Sequence, residues 1–336
     1  MDRGRTPFIF LYFLICFLSD LDFSCPDKPE QTRPVRCIIL TTRGGTIMGS
    51  SLSMSHIANN NRIYDSVCNS KVIQNVYDFS GYMNFGYWEK THKKFYDLAG
   101  ACDNLVDKIL DFIPDKTGTI LDVACGQGAT TRRLLKYYSP SNVTAINISE
   151  RQLELGRKNA PGCNFMLMDA TRLEFPDASF DNIIAVEAIF HFWTREKFLK
   201  EAYRVLKPGG RLVLSDILYN SQGRLNKERF PKDNMVSTLE EYRNLYLQAG
   251  FDEVIVKNVT TDTWDKYKKI APKAIINRLS ISSWHQIPIN IIYLFLVSYW
   301  NRCLDASFNE YDLVMAYKEG PTAHGPEASL APENHP

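Results

Sequence analysis

Between residues 119 and 258 the sequence switches repeatedly between two hydrophobic periods, and no other feature restricts the fold as much. β-Rich runs at 119–124, 143–147, 164–168, 180–186, 211–217 and 252–258 alternate with amphipathic stretches from about 129 and at 149–159, 195–206 and 238–249. This rhythm calls for parallel strands joined by helical crossovers, and so for a sheet covered on both faces. Ahead of it, Phe95, Leu98, Leu105, Val106, Ile109 and Leu110 recur at helical spacing until "PDKTG" ends the segment, which predicts a helix leading into the first strand. No internal repeat stands out, which argues against solenoids and propellers.

Beyond 258 the pattern changes. Residues 262–304 are helical in pattern, and only then does "EYDLVMAYKE" (310–319) supply one more strand, expected at the edge of the sheet and antiparallel. Residues 262–304 would then be an insertion at the carboxyl ends of the strands, where open α/β sheets bind ligands, and are expected to form a lid; a plain helical cover of the sheet is the alternative. The basic half, "DKYKKIAPKAIINR", reads as a solvated face, with attraction of an anionic substrate or membrane surface as the other reading. The apolar half, "IPINIIYLFLVSYW", exceeds the needs of one helix stripe and suits either the wall of a lipophilic pocket or packing on the sheet. The expected plan is an apolar segment and linker (1–60), a core (61–261), the lid (262–304), a closing strand (305–319) and a disordered tail (320–336).

Charge and cysteine content exclude several classes. With 39 basic against 38 acidic residues there is no global field to attract nucleic acid, so none is expected as a partner. The eight cysteines form no CxxC pair and no His/Cys cluster, so neither a zinc site nor a disulfide framework is expected. Arg3 and Arg5 precede "PFIFLYFLICFLSD", which has the length of a signal-peptide core and is short for a membrane span. Against secretion, the sequons Asn142-Val-Thr and Asn147-Ile-Ser fall inside the α/β core, where a glycan would disrupt packing. The expectation is a cytoplasmic domain, with membrane association or targeting through the N-terminal segment left open; the sequence does not fix the oligomeric state.

The turn after the first β-rich run, "LDVACGQG", carries Ala124, Gly126 and Gly128 in a small-x-Gly-x-Gly rhythm. Small residues let the backbone approach a ligand, and the helix beginning near Gly128 offers free amide N–H groups. The dinucleotide fingerprint G-x-G-x-x-G fits poorly, because Ala129 follows Gly128. Asp122, just ahead of the turn, suits an ammonium and would repel a pyrophosphate. A ligand with an amino-acid moiety is implied.

The ordered series "ILDVACGQG", "VTAINIS", "FMLMDATRLEFPDASFDNIIAVEAIFHF" and "EAYRVLKPGGRLVLSDI" resembles the motif series of class I S-adenosylmethionine-dependent methyltransferases over about residues 75–260. "NFGYW" (84–88) and "NISERQLELGRKNA" are similar to the small-molecule branch that includes sterol, tocopherol and macrolide-sugar methyltransferases. The resemblance implies a Rossmann-like, seven-stranded, mostly parallel sheet with an antiparallel last strand and helices on both faces. It implies S-adenosylmethionine as cofactor, its methionine end held by Asp122, Ala124, Gly126 and Gly128. Asn147 stands where the family usually has an acid for the ribose hydroxyls, and an amide can still donate and accept there. Gln152 adds a polar contact, while Asp169 and Ala170 match the pair that contacts adenine. Tyr82, Tyr87 and Trp88 either close over the cofactor, as aromatic faces suit a sulfonium, or staple the N-terminal segment to the core.

Methyl transfer is an in-line displacement, so alignment and exclusion of water matter most, and a hydroxyl nucleophile also needs a base. His191 is the histidine placed after the fourth β-rich run within the motif series, and it is expected to act as base or to orient the acceptor, with structural capping of the strand end as the alternative. Asp216 is expected to orient His191 or to anchor from behind, and Glu187 to position substrate or cofactor. Asp181 and Asn182 superficially suggest a metal site, but they lie at the wrong end of their strand, and no metal is expected. The "LKPGGRLVL" turn is assigned no chemistry. The leading expectation is O-methylation of a small lipophilic acceptor; N- or C-methylation, a catalytically silent binding domain and a nicotinamide dehydrogenase are the alternatives.

Overall fold

The computed structural model describes residues 77–89, 97–220, 231–281 and 308–320, together with positions 61, 64, 65, 74, 298, 301, 302 and 304–306. The apolar N-terminal run, most of the apolar half of the expected lid and nearly all of the tail lie outside the described residues. Within them, α1 (Leu98–Leu110) leads into β1 (Ile120–Val123), α2 (Ala129–Leu134), β2 (Val143–Asn147), α3 (Glu150–Asn159), β3 (Asn164–Leu167) and β4 (Phe180–Val186). Then follow α4 (Arg195–Val205), β5 (Leu206–Tyr219), α5 (Leu239–Ala249), β6 (Glu253–Asn258), α6 (Trp264–Ile281) and β7 (Phe308–Tyr317). The seven strands form one sheet in the order β3-β2-β1-β4-β5-β7-β6. β1 to β5 pair in parallel, and β7 runs antiparallel to both β5 and β6.

The central strands are buried on both faces because helices cover both, which is why β4 reads as a continuous apolar run from Ile183 to Val186. Along β7, Tyr311, Leu313 and Met315 join the core that includes α1, while Val314 and Ala316 join the core that includes α4 and α5. Local chemistry sets the helix ends. Ser149 caps α3 and Thr238 caps α5 through hydrogen bonds to backbone N–H groups, and Gly250 ends α5 in the left-handed region.

One expectation fails in position. The last strand does not close the sheet as an edge; it inserts between β5 and β6, leaving β6 outermost. The reason is burial: β7 is buried from Tyr311 through Ala316, whereas β6 alternates and carries exposed Glu253 and Lys257, charges that suit an unpaired edge. Strand β5 also starts earlier than expected, at Leu206, and its register on β4 shifts across the Pro-Gly-Gly turn, where Gly209 has φ +83°. β6 ends beside the start of β7, at the carboxyl ends of the parallel strands, and α6 begins just beyond that end of β6. No described helix is long and apolar enough to cross a membrane.

Candidate active site

The Gly-rich turn links β1 to α2 through a left-handed run, with φ of 57° at Ala124, 55° at Gly126 and 77° at Gly128. The two glycines serve different ends. A Cβ on Gly128 would lie 2.8 Å from the Gly156 Cα, so this glycine lets α2 start against α3. A Cβ on Gly126 would meet only the Gln152 side-chain oxygen, at 3.8 Å, so the backbone here borders open space. That open stretch of backbone, leading into α2 with no side-chain cap on its first turn, fits the amino-acid end of S-adenosylmethionine.

Asp122, expected to grip the ammonium, lies near the end of β1 ahead of the turn. It is 1% exposed, and its Oδ2 accepts a 2.6 Å hydrogen bond from the Thr131 hydroxyl of α2. Burial pushes its pKa up to about 7, against the opposing Thr131 bond. As placed, Asp122 ties β1 to α2 beneath the loop.

At the end of β2 the Asn147 amide donates to Gln152 Oε1 at 3.0 Å, while its own Oδ1 accepts from the Ile148 N–H at 2.9 Å. Gln152 in turn donates to Asp65 at 3.0 Å, and the Ser149 hydroxyl donates to the same carboxylate oxygen at 2.8 Å. After β3, Asp169 Oδ1 accepts from both the N–H and the hydroxyl of Thr171, which fixes the turn beside buried Ala170.

Tyr82 and Trp88 of the segment before α1 are turned inward. Tyr82 donates to Asp103 at 2.7 Å, Trp88 Nε1 donates to the Phe85 carbonyl at 3.0 Å, and both rings lie in the core cluster. Tyr87 reaches Asp262 at 3.5 Å. Of the two readings open for them, stapling of the segment describes their placement. The segment nonetheless lies beside the loop, since Arg132 of α2 donates to the Ser80 carbonyl and a Cβ on Gly81 would be 3.5 Å from the Gln127 Cβ.

His191 ends a short 3-10 turn after β4. Its Nε2 lies 2.5 Å from the Tyr64 hydroxyl, and the Tyr64 ring meets the imidazole edge-on at 86°. Asp216 is not its partner, which corrects the expected orienting role: it is fully buried and accepts from Arg195 Nε at 2.9 Å and from the Tyr242 hydroxyl at 2.8 Å. The physical cause is strand parity and charge. Asp216 alternates onto the face covered by α4 and α5, where Arg195 (1% exposed) sits at the start of α4 and needs a counter-charge. Glu187, at the carboxyl end of β4, adopts φ +48° and accepts from the Phe85 N–H at 2.8 Å and the Tyr311 hydroxyl at 2.6 Å. Burial pushes its pKa up to about 7, partly offset by those two bonds. Asp181 is held by Thr119 and Lys207 at the amino end of β4, away from these groups.

An aromatic series connects the two arms of the site. Phe190 packs 4.2 Å from the His191 ring and 5.4 Å from Tyr219, which meets Phe308. Phe308 stacks on Trp264 at 4.9 Å, and Trp264 and Tyr267 of α6 both pack on Phe85. Sequence reasoning missed Tyr64, Asp65, Phe85 and Tyr311. Tyr64 lies 127 residues from His191, and no local motif announces such a contact.

The sheet order, the Gly-rich turn and the polar groups after β2 and β3 together define a nucleoside-binding α/β enzyme of the methyltransferase class. Residues 121–214 match the family described as "Methyltransferase domain". The chain is 33% identical over 192 residues to the O-methyltransferase cnsE of Penicillium expansum, an alignment covering 53% of this chain and 68% of the relative. It is 30% identical over 205 residues to the 27-O-demethylrifamycin SV methyltransferase of Amycolatopsis mediterranei, covering 57% and 74%. In structure it is similar to the [4+2]-cyclase SpnF (TM-score 0.60, 22% identity, covering 78% of this chain and 95% of that one). It is also similar to the geranyl diphosphate C-methyltransferase of Streptomyces coelicolor, solved with S-adenosyl-L-homocysteine (TM-score 0.56, 16% identity, 78% and 97%). These structural likenesses establish the shared fold. The chain belongs to the class I S-adenosylmethionine-dependent methyltransferases.

Proposed function

We propose that this enzyme methylates an oxygen atom of a small, lipophilic natural-product acceptor, with His191 as the base. The observation that carries the reading is His191 itself. It stands at the carboxyl end of β4, held by Tyr64 and walled by Phe190. Relatives named as O-methyltransferases support oxygen as the target, and the aromatic series on α6, β5 and β7 supports an apolar acceptor.

When bound, S-adenosylmethionine supplies an electrophilic methyl group on a sulfonium. Gly126 and the start of α2 would hold its amino-acid end, Asn147 and Gln152 its ribose, and Asp169 and Ala170 its adenine. His191 Nε2 would take the acceptor hydroxyl's proton as the oxygen–methyl bond forms, after Tyr64, which sets the ring's direction beforehand, has given up that nitrogen. Glu187, held by Tyr311, keeps the Phe85 backbone in place and so shapes the acceptor's side of the site. Covering the site by residues 77–88 and α6 excludes water from the displacement.

Methyl-labelled cofactor offered with a panel of polyketide alcohols, phenols and amines tests this. Label should enter ether products, and wild type should exceed His191→Ala by about 100-fold or more, the usual size of a general-base contribution. Label entering only amines or carbon, or equal turnover by His191→Ala at every pH, would overturn the assignment.

A further inference from the structure

We infer that Asp65, which lies ahead of the α/β core, is the acceptor for the cofactor's ribose hydroxyls. The inference rests on the placement of the ribose at Asn147 and Gln152 proposed above, and goes one residue further. Asn147 is poorly equipped to accept a hydroxyl proton: its Oδ1 is already bonded to the Ile148 N–H, and its amide N–H is directed to Gln152. Gln152 Oε1 is in turn occupied by Asn147, and its Nε2 points to Asp65. Each amide oxygen of the pair has thus already engaged one of its two lone pairs, whereas a vicinal diol brings two O–H donors that need acceptors.

Asp65 supplies one. Its Oδ1 takes both the Gln152 amide and the Ser149 hydroxyl, while Oδ2 makes no hydrogen bond among the described residues. The cluster sits over the Gly-rich turn, because Gln152 Oε1 is the atom a Gly126 Cβ would approach. Asp65 is also fixed from two sides. The preceding residue, Tyr64, is bonded to His191, and Asn61 donates to the Ile148 carbonyl at 3.0 Å. The same short stretch thus reaches the ribose end through Asp65 and the acceptor end through Tyr64. A carboxylate accepting from a hydroxyl makes a charge-assisted bond, stronger than an amide oxygen would make.

The experiment is calorimetric binding of S-adenosylhomocysteine and of its 2′,3′-dideoxyribose analogue to the full chain, in wild type, Asp65→Ala and Asp65→Asn. Wild type should bind the dideoxy analogue about 10- to 100-fold more weakly, the range for a charge-assisted hydrogen bond. In Asp65→Ala that ratio should collapse to within about threefold, because the lost partner is the one the hydroxyls used. Asp65→Asn, which keeps the side-chain volume and so guards against misfolding, should give an intermediate ratio. If Asp65→Ala weakens both ligands equally, Asp65 only props Gln152 and the inference fails. It fails also if either variant discriminates as wild type does. Failure of wild type to bind S-adenosylhomocysteine would instead overturn the cofactor-site reading beneath it.

Discussion

The hydroxyl of Tyr64 lies 2.5 Å from Nε2 of His191, across 127 residues of sequence. A ring nitrogen so engaged is fixed in direction, and its proton is decided by the partner: either Tyr64 donates to a neutral ring, or the ring donates to the phenol oxygen. For an acceptor hydroxyl to reach Nε2, Tyr64 must yield that position, since one lone pair cannot serve both; until then its hydrogen bond sets the ring's direction. Tyr64→Phe is therefore expected to lower kcat by about tenfold, one hydrogen bond's worth of positioning, and His191→Ala by about 100-fold or more. Single-turnover methyl transfer with an identified acceptor reads both. Equal losses in the two variants would mean that Tyr64 takes part in the proton transfer itself.

The two glycines of the cofactor turn should fail in different ways. Gly128→Ala places a Cβ 2.8 Å from the backbone of Gly156 at φ +77°, so stability should fall by about 2 kcal/mol or more. Gly126→Ala meets open space, so the folded state should lose only about 1 kcal/mol from its φ of +55°. Its main effect should appear as weakened S-adenosylhomocysteine binding, where the methyl intrudes on the cradle. Urea midpoints and calorimetry on the same preparations separate the two.

Asp216 and Arg195 form a buried pair with Tyr242, removed from His191. Removing one member strands a charge, so Arg195→Met should cost about 3–5 kcal/mol of stability. Asp216→Asn, which keeps a hydrogen-bond acceptor for the guanidinium, should cost less. Both should leave the pH dependence of kcat unchanged in the molecules that remain folded. A displaced pH profile in Asp216→Asn would restore the expectation that this carboxylate orients the histidine.

The parts of this architecture that repeat locally were readable from the sequence, and the parts that depend on distant partners were not. Hydrophobic period and turn chemistry located the strands and helices of the core because each element imprints its own period and end signals on its own residues. The position of β7 turned on a comparison between strands: the charges of Glu253 and Lys257 against the apolar run Leu313–Ala316. Those charges were a usable signal for the edge. Asp216 looked like a partner for His191 because both follow strands near the same end of the sheet; only strand parity and the burial of Arg195 reveal the other pairing. Tyr64 and Asp65 carry no motif, and their contacts with His191 and Gln152 exist only once the chain has folded back across the sheet.

Asp312 faces Asp216 across the β5–β7 register, fully buried, with neither carboxylate oxygen hydrogen-bonded among the described residues. Burial pushes its pKa up to about 7, and the nearby Glu310 and Asp216 add to the shift. In the unfolded chain the group titrates near 3.9, so between about pH 4 and 7 the folded state holds more protons than the unfolded one. Stability from this group is therefore present at low pH and lost as pH rises through that window, becoming level above about 7. Asp122 and Glu187, also raised to about 7, slope the same way. Asp312→Asn removes the ionisation but leaves a polar group of equal size, so it should match wild type near pH 4. At pH 8 it should exceed wild type by on the order of a few kcal/mol, at 1.36 kcal/mol for each pKa unit relieved. Denaturation midpoints measured from pH 5 to 8 check the sign: the variant's curve should be flatter than wild type's, and it should keep a residual slope from Asp122 and Glu187. A variant less stable than wild type at pH 8 would show that Asp312 is ionised and paired in the folded protein.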